Sequence, residues 1–324
     1  MENFKAMENM KRLAALCIAG AAAALAVSCG KEETVGEDSA SKVEFTASEL
    51  QVKTVFGENT DGAYPVLWTA NEKVALFYNS QTGDQGWTDG GQYVTVNPSA
   101  DGYTAAFSAS FTDDGSGSHS FYAMSPLSAL NGMANEDCDG DGVNEKILYA
   151  NIPPYQIPVP ETCDEKAQIV FAKEEFTEFP DKVDLTFSHM TAYGLIRSLS
   201  LPEEATEIVG LTIVSDKFLS GEIYCNYNTP DNILCNAKTA EKYIYLDVNN
   251  GGLKAKKLEN VFFACTPQTD GNDVFGEGDY LKFTVYTTSD TWVKTVSFSA
   301  DRTLAFKAGR ISSFSVNAHG FEKQ

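Results

Sequence analysis

From residue 42 onward the apolar residues of this chain gather in short runs, several of them on alternate positions, and that β texture limits what it can fold into. Val43, Phe45 and Ala47 are each separated by polar neighbours. Similar runs recur at Val74 to Tyr78, Tyr93 to Val96, Ala105 to Phe111, Phe121 to Met124, Ile147 to Ile152 and Ile169 to Ala172, divided by Gly, Asp, Asn or Ser clusters. A second series runs through Val183, Leu185 and Phe187, then Tyr193 to Leu199, Ile208 to Val214 and Tyr243 to Val248. It ends with Val261 to Cys265, Tyr280 to Thr287, Trp292 to Phe298 and Arg310 to Val316. No helical repeat is sustained among them. The expected fold is therefore all-β, with two tandem antiparallel β-sandwich domains at residues 43–178 and 179–320, since each sheet needs a partner face for its apolar side. Phe179-Pro180-Asp181 interrupts the pattern and marks the boundary. A single large barrel is the alternative.

The region before the strands carries a different signal. Lys5, Lys11 and Arg12 precede an apolar run from Leu13 to Val27, followed by Ser28, Cys29 and Gly30. That run is too short to span a bilayer as a helix, and a small residue directly before a cysteine is what a lipoprotein signal peptidase requires. Residues 1–28 are expected to be a signal peptide cleaved between Ser28 and Cys29, leaving Cys29 to carry palmitate-type acyl chains. Residues 29–42 are polar and read as a flexible tether. Lys31-Glu32-Glu33 resembles the surface-export tag of lipoproteins in the Bacteroides group, which points to the cell surface, on the outer membrane.

Composition narrows the partners. The chain carries 24 Lys and Arg against 45 Asp and Glu, a formal net charge of −21. Such a surface repels phosphate backbones, so nucleic acid is excluded as a partner. The cysteines beyond Cys29 are Cys138, Cys163, Cys225, Cys235 and Cys265, too few and too odd in number for a disulfide framework. Proximity in sequence suggests Cys225 with Cys235 and Cys138 with Cys163 as pairs, without establishing either.

Three segments are candidates for chemistry. Asp137, Asp139 and Asp141 are spaced two apart and followed by Gly142, a pattern that suits Ca2+ because alternate residues of a tight loop aim oxygens at one point. Position twelve of such a loop is Leu148 instead of an acid, and the alternative is an acidic solvated loop. Trp87 stands in a polar stretch where an indole either stacks on a sugar or folds back over a sandwich end. His119, His189 and His319 lie far apart, and no nucleophile or phosphate-loop motif is present, so no catalytic residue is assigned.

Several short words occur in a telling order. They are Phe45-Thr46-Ala47 with Lys53-Thr54, then Trp68 to Phe77 (WTANEKVALF), Phe121 to Pro126 (FYAMSP) and Ile152 to Gln156 (IPPYQ). Leu185 to Ala192 (LTFSHMTA) and Phe306 to Arg310 (FKAGR) complete the series. In this order, after a lipobox, they resemble the fimbrillin family of pilins and adhesins of Bacteroidales type V pili. The resemblance implies two transthyretin-like sandwiches and a non-enzymatic structural or adhesive role. It also implies assembly with other pilus subunits by β-strand exchange, in which a protease removes the first strand and a neighbour's strand fills the groove. The arginines after Cys29 are Arg197, Arg302 and Arg310, so cleavage near the first strands would fall at Lys42 or Lys53. The alternative function is a surface glycan-binding lipoprotein that captures polysaccharide.

Overall fold

The computed structural model describes residues 41–49, 68–80, 91–113, 115–137, 144–226, 233–267, 274–301 and 303–324. The regular structure of the described residues is almost all strand. β1 (Ser41–Glu49), β2 (Lys73–Ser80), β3 (Gln92–Thr95), β4 (Asn97–Pro98), β5 (Ala105–Phe111) and β6 (His119–Ser125) come first. β7 (Leu130–Glu136), β8 (Glu145–Ile152), β9 (Tyr155–Gln156), β10 (Val170–Phe176) and β11 (Lys182–His189) follow. Then come β12 (Ala192–Ser200), β13 (Ile208–Ser215), β14 (Gly221–Asn226), β15 (Ile233–Cys235) and β16 (Tyr243–Leu246). β17 (Lys257–Cys265), β18 (Tyr280–Thr287), β19 (Thr291–Ser297), β20 (Ile311–Val316) and β21 (Glu322–Lys323) complete the series. No helix among the described residues is long and apolar enough to cross a membrane.

Two sandwiches account for most of these strands, as the alternation predicts. In the first, one eight-stranded sheet in the order β3-β2-β6-β10-β11-β1-β5-β4 curls round a core of Val43, Phe45, Leu76, Phe107, Phe121, Leu185 and their neighbours. β5 shows the cause directly: its residues alternate buried and exposed from Ala105 to Phe111 without a break. The two ends of this sheet meet at a seam. There the Gln92 side chain replaces a main-chain ladder, its Nε2 donating to the Ser110 carbonyl and its Oε1 accepting from the Ser110 N–H at 3.1 Å. The second sandwich sets the six-stranded sheet β21-β19-β18-β13-β16-β9 against the three-stranded sheet β17-β12-β20, around Ile196, Ile213, Leu246, Phe263, Phe283 and Trp292. Within it, the ring of Phe263 lies over Gly194, directly opposite in the ladder, where an added Cβ would meet ring atoms at 2.0 Å.

Some strands are buried on both faces, which a simple alternation does not foresee. All seven residues of β6 are buried. Phe121 and Ala123 enter the first core, while Tyr122 and Met124 point the other way into a further core with Ala75, Phe77 and Phe171. That further core is closed by a four-stranded sheet in the order β15-β14-β8-β7, through Leu148, Ala150, Ile152, Ile223, Cys225 and Ile233. β11, after the Phe179 to Asp181 interruption, pairs with β1 and β10 in the first sheet. The β14–β15 hairpin also returns from the C-terminal half to pair with β8.

The halves are clamped where IPPYQ ends. β9 runs parallel to β16, and the fully buried Gln156 side chain bonds both main-chain groups of Ala264 in β17, at 2.7 Å to its carbonyl and 3.0 Å from its N–H. The Tyr155 hydroxyl donates to the Asp247 carboxylate, and Tyr155 stacks on Tyr245 at 5.3 Å. Burial comes first among the causes that raise the Tyr155 phenol's pKa, with the Asp247 hydrogen bond next. Replacing Gln156 with Leu is expected to orphan the Ala264 N–H and C=O and lower unfolding free energy by at least about 2 kcal/mol, at 1–3 kcal/mol for each buried unpaired group. Urea denaturation of the variant beside the parent chain measures this.

Candidate functional site

β1 is the first described strand and is built into the sheet on both sides. It lies inside the eight-stranded sheet, parallel to β11 on one side and antiparallel to β5 on the other. Val43 and Ala47 are fully buried and Phe45 is 1% exposed. Phe45 sits at the centre of an aromatic cluster, stacked on Phe107 at 5.4 Å and meeting Phe121 edge-on at 5.6 Å and Phe111 at 6.2 Å. The alternation places these three residues on one face, where Val43 and Phe45 each contribute on the order of 1.5–3 kcal/mol by leaving water and the Ala47 methyl less than about 1 kcal/mol.

Of the outward side chains of β1, Lys42 and Glu44 are exposed and Thr46 is half-buried. Lys42 pairs with Glu44 at 3.3 Å in solvent, a contact that adds little stability. Beyond β1 a cleft of about 400 Å³ runs between its outer face and the seam, lined by Lys42, Glu44, Thr46, Val94, Ser108 and Lys182 among others. A vacated β1 position would offer an unpaired parallel edge on β11, an unpaired antiparallel edge on β5 and three apolar pockets in alternate register.

The structure places the sequence-derived site residues unevenly. Lys42 is the second residue of β1, while Lys53, Ser28, Cys29 and Trp87 lie outside the described residues. Of the acidic triplet, Asp137 directly follows β7, and Asp139 and Asp141 lie outside the described residues, as does Cys138. Among the described residues no group of three His, Cys, Asp or Glu side chains is placed to hold a metal. Cys163, Cys225, Cys235 and Cys265 are not in disulfide bonds. The suggested Cys225–Cys235 bridge is absent because the register sets Cys225 opposite Ile233 and Cys235 opposite Ile223, a diagonal arrangement instead of a facing one. Burial pushes the Cys225 thiol well up.

The histidines go to separate structural tasks. His119 is buried and shares a 2.8 Å hydrogen bond with the Tyr78 hydroxyl. His189 bonds the fully buried Tyr193 hydroxyl at 2.9 Å, and Gly309 approaches its ring so closely that a Cβ there would lie 2.9 Å from it. Two of the words in the sequence, LTFSHMTA and FKAGR, thus meet in space. Trp68 and Trp292 are both buried, Trp68 edge-on to Phe187 at 5.1 Å. Gln92 and Gln156, which shape the seam and the clamp, carry no sequence signal beyond being polar residues amid strands.

No protein-family model matches the sequence, and no curated protein does either. Solved structures do resemble it. One, described as a candidate cell adhesion protein from Bacteroides ovatus, is 12% identical with a TM-score of 0.50, over 88% of this chain and 96% of that one. A fimbrial assembly protein from Parabacteroides distasonis is 9% identical with a TM-score of 0.41, over 88% and 94%. A candidate cell adhesion protein from Bacteroides thetaiotaomicron is 16% identical with a TM-score of 0.39, over 85% and 92%.

Truncating Phe45 to Ala tests how far the first sandwich rests on β1. The variant is expected to lose about 3–5 kcal/mol of stability, read from denaturant unfolding. The chain shares its fold with the Bacteroides ovatus protein over nearly the whole length of both, in agreement with the architecture expected from the fimbrillin resemblance.

Proposed function

We propose that this chain is a non-enzymatic surface protein of the fimbrillin type, a structural or adhesive component of a type V pilus. Its lipidated Cys29 anchors it to the outer membrane, and it joins other subunits by β-strand exchange at the position of β1. The observation that carries the reading is the burial of Val43, Phe45 and Ala47 in a strand that precedes every other described element and yet pairs on both sides. The segments 43–178 and 179–320 form two domains in this reading, with β11 and the β14–β15 hairpin lent back to the first.

In this reading the two candidate cleavage positions differ in consequence. A cut after Lys42 would leave Val43 to Glu49 attached and the groove filled. A cut after Lys53 lies beyond the end of β1 at Glu49 and would detach the whole strand. Only the second creates an acceptor.

Outer-membrane material run in detergent with and without boiling tests this. A ladder that collapses on heating to one band cut after residue 53 is expected, and Lys53→Gln should abolish it while Lys42→Gln leaves it intact. A single uncut band under both conditions would overturn polymerisation through β1.

A further inference from the structure

The face of the four-stranded sheet β15-β14-β8-β7 that turns away from the further core carries half-exposed tyrosines beside amides and carboxylates. Leu148, Ala150, Ile223 and Cys225 turn inward, so the alternate residues of the same strands turn away from the molecule. Across the ladder, Gly132, Tyr149, Tyr224 and Leu234 are successive cross-strand neighbours. Gly132 contributes no side chain and has open space above it, which leaves one flank of Tyr149 uncrowded. The two tyrosine rings are half-exposed, with centroids 5.6 Å apart and planes inclined by 38°, and Leu234 continues the row in solvent.

A polar row runs alongside. Glu222 stands opposite Asn151, and it accepts hydrogen bonds from Asn131 Nδ2 and, at 2.5 Å, from Asn236 Nδ2. Asn131 reaches this row through the irregularity between Leu130 and Gly132, which adds a residue to β7 and re-aims its side chain. At the far end of the tyrosine row the Tyr149 hydroxyl donates to Glu136 at 2.9 Å. On the other flank the face is closed, since Ile147, in the row with Ala134 and Asn226, is fully buried.

A flat aromatic platform bordered by amides and carboxylates matches the two sides of a sugar ring, an apolar C–H face and a rim of hydroxyls that both donate and accept. The charge on the row selects among sugars. Glu136 and Glu222 accept only, and a chain of net charge −21 repels acidic polymers, whereas uncharged hydroxyls supply the donors these oxygens can still take. Glu222 already holds two amide donors and Glu136 a phenol, which fixes both carboxylates in place along the row.

We propose that this face binds an uncharged polysaccharide, with sugar rings lying along Tyr149 and Tyr224 and their hydroxyls directed to Asn151, Asn236 and Glu222. Neither β1 nor any strand exchange enters this site, so it stands or falls apart from the pilus reading.

Affinity electrophoresis and calorimetry of the purified full chain test it, with soluble mannan, xyloglucan and arabinoxylan as neutral probes and polygalacturonate and polylysine as charged ones. At least one neutral polymer is expected to retard the chain, and polygalacturonate none. Tyr149→Ala and Tyr224→Ala should each weaken binding tenfold or more. Asn151→Arg should do the same by laying a long side chain across the row without removing any packing, and it decides the matter should the tyrosine variants lose their circular dichroism. Tyr93→Ala, which removes a tyrosine 56% exposed on β3, should leave binding unchanged. The proposal is overturned if no neutral polymer binds, if binding survives Asn151→Arg and the folded tyrosine variants, or if polylysine alone binds in a manner that depends on the tyrosine row.

Discussion

The double-sided burial of β2, β6 and β10 is the constraint on which the rest of the first half depends. A strand with apolar residues on both faces must have a layer on each side, because either face left in water would cost the hydrophobic free energy of its whole row. Phe121 and Ala123 are covered by β1 and β5 across the first core, and Tyr122 and Met124 by β8 and β14 across the next. β7 and β8 supply only half of that second cover, and β14 and β15 must come back from beyond residue 220 to finish it. The halves of the chain are thus interleaved by a packing requirement. The clamp at Tyr155 and Gln156 then fixes what that requirement has brought together.

The same constraint explains which parts of the fold could be read from residues. β5 and β11 alternate cleanly because each has a single buried face, and both are legible in the sequence. β6 reads as a short apolar run, which signals burial without saying against what. β7, β14 and β15 escape the pattern altogether. β7 is LNGMANE, with a glycine and two asparagines among seven residues, β14 opens on Gly221, and β15 has three residues. Glycine and asparagine are poor strand formers, so their presence reads as loop. They sit in strands here because pairing with β8 and packing on the further core override local preference.

The residues that hid those strands are the ones that give their outer face its character. Asn131, Gly132, Asn151, Glu222 and Asn236 lie where an ordinary half-buried sheet would carry Thr, Lys or Val on its solvent side. The sequence did point to an aromatic residue for sugar stacking, but at Trp87, since an indole in a polar loop is conspicuous and a tyrosine in a strand is not. Tyr149 and Tyr224 acquire meaning only when the ladder sets them side by side. The β1 groove shows the reverse case. Its alternating Val43, Phe45 and Ala47 are plain in the sequence, while its pairing with β5 on one side and with a parallel β11 on the other is not.

The order of the layers bears on how both sites could belong to one subunit. β1 lies in one wall of the first sandwich, across the aromatic core from β6, as the contact between Phe45 and Phe121 shows. β6 in turn separates that core from the one beneath the four-stranded sheet, and the tyrosine row lies on the far side of that sheet. Two cores and two layers of strands, the β6 wall and the four-stranded sheet itself, therefore stand between a segment entering at β1 and a polymer lying on Tyr149 and Tyr224. Replacing β1 by a strand of equal pattern restores the first core and leaves Tyr122, Met124 and everything outward of them in place. A subunit built in this order could exchange strands on one side and hold a ligand on the other without either event disturbing the packing that the second requires.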